Sequence, residues 1–348
     1  MCIRDSKLSG NDTARSITGV GYQPDYTWVK DMTGDGYNGT MYDSVRGAGA
    51  DKELIVDNDN AEGAGNSATY GYVSAFVSDG FSLGEGSSND DYVNKTGHDY
   101  VCWNFRAGTT SGITTDGSTT ITPTGYSFNS TSGFSIIQYG GNSTSGAGFP
   151  HGLGVAPTAV IVKKTSGADR WCVYHKSLGN TKYLQLNQND GPATESAMWN
   201  NTSPTATNVI LGNSDYCNDT GATYIAYCFT DKLGGQKFGS YVGNGNTDGS
   251  FIVTGFRPAM VIIKRADASA QNWVQIDDRR PGYQYNNAAL FPNSNTNEDS
   301  GAYMNLFSNG FKVIDNDNII NGGGDDYIYL AFARYPIVSS NDVPTVAR

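Results

Sequence analysis

Gly255-Phe256-Arg257-Pro258-Ala259-Met260-Val261-Ile262-Ile263-Lys264 is written twice more in the same chain. The other versions are Gly21-Tyr22-Gln23-Pro24-Asp25-Tyr26-Thr27-Trp28-Val29-Lys30 and Gly154-Val155-Ala156-Pro157-Thr158-Ala159-Val160-Ile161-Val162-Lys163. Each reads G-x-x-P, five residues, then Lys. Such a segment is an entry strand: proline sits first, where its missing N–H is harmless, and the lysine is expected to end the apolar run in water. Self-similarity at this spacing marks repeated structural units.

Working outward, each entry strand is followed by a polar turn and a second strand: Met41-Tyr42-Asp43, Trp171-Cys172-Val173-Tyr174-His175 and Trp273-Val274-Gln275-Ile276-Asp277. A leucine-bearing strand comes next, at Leu54, at Leu184 to Leu186 and at Leu290. Units one and three then carry Ser78-Asp79-Gly80-Phe81-Ser82-Leu83 and Ser308-Asn309-Gly310-Phe311-Lys312-Val313, with Asp-Gly and Asn-Gly turns before an aromatic strand. The closing strands alternate with period two, so Val101/Trp103/Phe105, Ile225/Tyr227/Phe229 and Ile328/Leu330/Phe332 are predicted to share one face. Lead hairpins before Gly140-Gly141-Asn142 and Gly243-Asn244 introduce units two and three, whereas unit one keeps Gly10-Asn11 without an aromatic strand ahead of it.

These signals predict an all-β chain of tandem antiparallel β-sandwich repeats, of jelly-roll or concanavalin-like type. A propeller is the alternative, with a shorter period of about 40 to 50 residues. The expected divisions are a non-native leader at 1–7, unit one at 8–108, a Thr/Ser/Gly-rich linker or extra hairpin at 109–132, unit two at 133–234, unit three at 235–337 and a tail at 338–348. The leader is set aside because its opening residues match nothing later in the chain. Missing its lead strand, unit one reads as the start of a fragment of something longer.

Composition agrees with strands and tight turns: 44 Gly and 22 Tyr stand against only 16% charged residues. A net charge of −11 would repel phosphate backbones, so nucleic acid is not an expected partner. No apolar run of membrane-spanning length and no signal-peptide pattern is visible, so membrane insertion is not expected. The five cysteines show no C-x-x-C pair and read as small buried hydrophobes rather than a disulfide frame or zinc site.

Several blocks together resemble a known family: Gly148-Phe149-Pro150-His151-Gly152-Leu153-Gly154 with Pro157, Trp171 to His175, Gly239-Ser240-Tyr241-Val242-Gly243-Asn244-Gly245, Asn272-Trp273 with Asp277 and Arg280, and Tyr327 to Ala333. The family comprises uncharacterised repeat domains of bacteriophage tail and structural proteins, many of them marine. The resemblance spans about residues 8 to 336. It implies a virion or extracellular setting, a concanavalin-like sandwich, other virion or tail proteins as partners, and a role at the host surface. It supplies no catalytic residues, and an enzyme is not expected.

The candidate chemistry is sparse. Asp43-x-x-Arg46 and Asp277-x-x-Arg280 follow the second strand and read first as ion pairs bracing a loop. Their functional reading is hydrogen bonding to a host-surface glycan, with Tyr42 and Trp273 as stacking platforms. The middle unit has His175 and Leu178 at these positions. Asp315 and Asp317 are weak calcium candidates, as is the run Asp57 to Asn60, but neither supplies the glycine and glutamate of an EF-hand loop. No other cofactor is expected. Gly80-Phe81-Ser82-Leu83-Gly84 matches a nucleophile elbow, but the equivalent Gly310-Phe311-Lys312 has no serine and no helix follows. A sugar-cleaving tail enzyme would need two carboxylates at a set distance, and the five glutamates form no such signature. Oligomeric state is open, since no heptad or collagen run is present, and a homo-oligomer is compatible with the sequence.

Overall fold

The computed structural model describes residues 3–34, 36–280 and 288–334. Unit one consists of β1 (Ile3–Ser9), β2 (Arg15–Ile17), β3 (Tyr26–Asp31), β4 (Thr40–Asp43), β5 (Leu54–Ile55), β6 (Tyr72–Val77), β7 (Gly80–Gly84) and β8 (Asp99–Phe105). Unit two adds β9 (Gly125–Asn129), β10 (Phe134–Gly140), β11 (Ala147–Pro150), β12 (Ala159–Lys164), β13 (Trp171–His175), β14 (Lys182–Gln185), β15 (Ala193–Thr194), β16 (Asn208–Leu211) and β17 (Thr223–Phe229). Unit three holds β18 (Gln236–Val242), β19 (Phe251–Val253), β20 (Pro258–Arg265), β21 (Val274–Asp277), β22 (Met304–Phe307), β23 (Gly310–Val313) and β24 (Asp326–Ala333).

Every ladder between named strands is antiparallel. The main sheets run β1-β8-β3-β4-β5, β15-β14-β13-β12-β17-β10-β9 and β18-β24-β20-β21, so in each the closing strand lies between the lead and entry strands. A smaller sheet accompanies each: β2-β7-β6, β11-β16 and β19-β23-β22. Gly80 and Gly310 open β7 and β23 because a Cβ there would meet the carbonyls of Ile17 and Ile252 on the neighbouring strand.

Period-two alternation gives each main sheet two apolar faces. One face packs on the unit's own small sheet, as where Val29, Tyr42 and Cys102 meet Val73, Phe81 and Leu83. Units two and three have equivalent outer cores. The other face carries the predicted sets Val101/Trp103/Phe105, Ile225/Tyr227/Phe229 and Ile328/Leu330/Phe332, and these merge into one core shared by all three units. Phe105, Phe229 and Phe332 form a triangle, with ring centroids 5.9, 5.1 and 5.7 Å apart, about an approximate threefold axis. A void of about 30 Å³ lined by Tyr26, Met41, Val173, Met260, Ile262 and the three phenylalanines lies beside it.

Three expectations change here. The entry-strand lysines do not reach water: Lys30, Lys163 and Lys264 are buried, each donating to loop carbonyls. Lys30 Nζ donates to Ser294 O at 3.0 Å, Lys163 Nζ to Asp59 O at 3.4 Å and Lys264 Nζ to Asn189 O at 3.2 Å. Each acceptor belongs to another unit, so the bonds run one to three, two to one and three to two. Backbone bonds repeat the cycle: Gly36 N to Asn295 O, Asp169 N to Asp59 O and Gln271 N to Asn189 O. Burial pushes Lys163 and Lys264 down to about 8, while the carbonyl oxygens satisfy their protons.

Secondly, unit one does have a lead strand. Residues 3–9, which take in 3–7 of the expected leader, pair along β8 in the register that β10 and β18 use with β17 and β24. Their composition lacks the aromatic signal of the other two units. Thirdly, of the two readings of 109–132 the structure shows the hairpin and not the linker: its β9 pairs with β10 and extends the main sheet of unit two. The expected tail at 338–348 lies outside the described residues.

With a common core, the units are expected to unfold together. Phe332→Ala should cost about 3–5 kcal/mol by removing a ring from the triangle. Urea unfolding followed by tryptophan fluorescence and by far-UV circular dichroism should show one coincident transition in the wild type, and separate transitions would contradict the shared core.

Candidate functional site

The second strand ends against a neighbouring unit in unit one, where Asp43 meets Tyr227, and in unit two, where His175 meets Tyr329. Tyr42, Asp43, Arg46, Trp273, Asp277 and Arg280 are all buried. The glycan reading of these residues is therefore corrected: a sugar on the surface reaches neither the carboxylates nor the rings. The loop-bracing reading describes them. Asp43 Oδ2 accepts from Arg46 Nε at 2.6 Å, and Asp277 Oδ2 from Arg280 Nε at 2.8 Å. The other carboxylate oxygen of each accepts backbone N–H groups of the turn, at Val45 and Arg46 and at Arg279 and Arg280. The guanidinium groups continue to Lys52 O at 2.7 Å and to Gln275 O at 3.0 Å, with Glu62 and Glu298 beyond them.

In the middle unit the same turn is held without charge. His175 Nδ1 accepts from Ser177 N at 3.2 Å, and Nε2 lies 3.3 Å from the carbonyl of Tyr329 in unit three. This arrangement needs a neutral ring with its proton on Nε2. His151 repeats it, between Leu153 N at 3.2 Å and Thr205 O at 3.1 Å. Burial pushes both histidines down to about 4.

The indoles and phenols join units or loops. Trp171 Nε1 donates to Ile55 O at 3.0 Å, Trp273 Nε1 to Gln185 O at 2.8 Å, and Tyr227 OH to Asp43 Oδ2 at 2.8 Å, all across unit boundaries. Unit one has Gly39 where the others have tryptophan, and the indole of Trp28 on the adjacent strand fills the space, its Nε1 standing 3.0 Å from where a Gly39 Cβ would lie. Tyr42 OH is within 3.1 Å of Ser67 Oγ.

Sequence reasoning missed a second threefold set at the opposite end of the closing strands. Tyr100, Tyr224 and Tyr327 accept from Lys95 N, Asp219 N and Gly322 N at 3.0, 2.8 and 2.7 Å. The same hydroxyls donate back to Asp91 O, Asp215 O and Asn318 O. Beside them Asn94, Asn218 and Asn321 are buried and clasp the lead turns at Asn11, Asn142 and Asn244. The signal was in the sequence: each closing tyrosine follows an asparagine by six positions.

The remaining motifs lie in strands and turns. Ser82 of the G-x-S-x-G match lies on β7, 2.9 Å from Ser16 Oγ. Asp315 and Asp317 accept backbone N–H groups within their own turn. Among the described residues no group of three or more His, Cys, Asp or Glu could hold a metal ion, and no helix is long and apolar enough to cross a membrane. Cys102, Cys172, Cys217 and Cys228 are buried, and Cys2 lies outside the described residues. Burial pushes the Cys217 and Cys228 thiols up to about 12.

The model of a domain family of unknown function, DUF7483, matches residues 3–336, and the chain belongs to that family. No curated protein and no solved structure matches the chain.

Two tests separate bracing from ligand binding. Arg280→Leu strands the Asp277 carboxylate in the core and should destabilise by about 3–5 kcal/mol in urea titration, whereas Asp277→His with Arg280→Leu, copying the middle unit, should cost much less. For the histidines, a folded-state value near 4 against about 6.5 unfolded means that the unfolded chain binds more protons between these limits. Stability should thus fall as pH drops from about 6.5 to 4, and His151→Asn with His175→Asn should flatten that slope in thermal melts.

Proposed function

We propose that this member of the DUF7483 family is a structural building block of a bacteriophage tail or virion, and not a catalyst. The observation that carries the reading is the cyclic lock: each unit places a buried lysine on a carbonyl of another unit. Side chains that elsewhere do chemistry are here engaged in holding shape, as the buried Asp43–Arg46 and Asp277–Arg280 pairs and the neutral histidines illustrate. A body closed in this way resists local opening, because separating one unit strands a cation and exposes one side of the triangle of phenylalanines.

The resemblance of the repeat blocks is what supports the virion setting. Adhesion to a host glycan through Tyr42, Asp43, Arg46, Trp273, Asp277 and Arg280 is not part of the proposal, because a sugar cannot reach them.

Particles purified from infected cells should carry the protein at fixed copy number relative to a known tail or capsid component, measured by quantitative mass spectrometry. On a glycan array the isolated protein should be blank with and without calcium. Recovery only in the particle-free fraction, or release of reducing ends from a bacterial polysaccharide, would overturn the reading.

A further inference from the structure

We infer that the ring of three units opens at one place, the junction of units one and three, and that the carboxylate of Asp57 controls the opening. The inference stands apart from the virion reading, because it rests on a comparison of the three junctions within the molecule.

Two of the junctions are crossed by the chain itself, since units one and two, and then two and three, follow one another in sequence. Units one and three are held together by non-covalent contacts alone. Lys30 Nζ donates to Ser294 O at 3.0 Å, Gly36 N to Asn295 O at 3.0 Å and Glu298 N to Met32 O at 3.1 Å.

The side-chain bonds that lock the other junctions have no counterpart here among the described residues. Between units two and one, Trp171 Nε1 donates to Ile55 O and Tyr227 OH to Asp43 Oδ2. Between units three and two, Trp273 Nε1 donates to Gln185 O and His175 Nε2 meets Tyr329 O. In unit one Gly39 stands in place of the tryptophan, and the Trp28 indole that fills the space has a buried Nε1 with no hydrogen-bond partner. Trp103, at the position of Tyr227, likewise has a buried Nε1 without a partner. The two rings lie 5.0 Å apart. Both N–H groups gain water when the junction opens, so closure is less favoured here than at the other two.

Asp57 adds a charge at the same place. Asn187 Oδ1 accepts from Trp171 N at 3.1 Å and Asn293 Oδ1 from Trp273 N at 2.8 Å, so in units two and three a neutral amide holds the start of the second strand. Unit one has Asp57 at this position, accepting from Gly39 N, and its Oδ1 is buried without a partner. Burial pushes Asp57 up to about 6, against the pull of the Lys30 ammonium on β3. Tyr92, from the segment before β8, also faces it, and Asp31, tied to His98 at 2.6 Å, stands beyond Lys30. A raised carboxyl means that the closed junction keeps a proton which the open, solvated one releases. Closure is therefore firmest below the ordinary value of 3.8 and loosens as pH rises through about 6.

Amide hydrogen exchange of the full chain, corrected for the intrinsic rate at each pH, tests this. Gly36 and Glu298 are expected to exchange about tenfold faster than Asp169 and Gln271, whose N–H groups cross the other junctions. Their protection should fall by about tenfold between about pH 5 and about pH 7.5. Asp57→Asn, which copies units two and three, should abolish that fall and leave both amides better protected at the higher pH. Gly39→Trp with Trp28→Ile copies the same two units at the indole, and should slow exchange at Gly36 and Glu298 at every pH without changing Asp169 or Gln271. Should that double variant fail to fold, Asp57→Asn decides alone. Equal protection at the three junctions, or an unchanged pH response in Asp57→Asn, would overturn the proposal.

Discussion

Everything in this fold depends on the apolar face that three sheets turn toward one another. A sheet with one apolar face needs one cover, and the small sheets provide it. The main sheets have two such faces, and the second can be removed from water only by the other two units. Phe105, Phe229 and Phe332 meet where that requirement is strictest, at the axis. The three sandwiches thus also form a closed assembly, each incomplete alone.

The buried cations follow from the same closure. A lysine at the end of an entry strand has no aqueous exit once the neighbouring loop lies over it, and an unpaired ammonium there would be costly. The loop answers with carbonyl oxygens, so the ring of apolar contacts is bordered by a ring of directed bonds. Apolar packing favours closeness in general, whereas the lysine bonds select one register between units.

The repeat, the strand order within it and the inward face of the closing strands were legible because period-two alternation and Gly-x-x-Pro spacing are local signals. The sharing of that face by all units was not, since a strand buried by its own unit and one buried by another read alike. The lysines misled for a related reason: an apolar run followed by Lys usually ends in solvent, and only the fold brings the covering loop over it. β1 escaped notice because its pairing with β8 relies on backbone bonds that a sequence does not spell out. The Asp-x-x-Arg pattern was found and its bracing role foreseen, but its burial depended on contacts with other units.

The direction of the lysine bonds has a consequence for how such a chain can change. In a linear solenoid, units join head to tail and one can be gained or lost at little cost. Here donor and acceptor close on themselves, so the number three is fixed as firmly as the subunit count of a ring. A duplicated fourth unit would find no acceptor, and a deleted one would leave a donor without its loop. Variation is therefore channelled into insertions on the rim, of which the segment carrying β9 is the example within the chain.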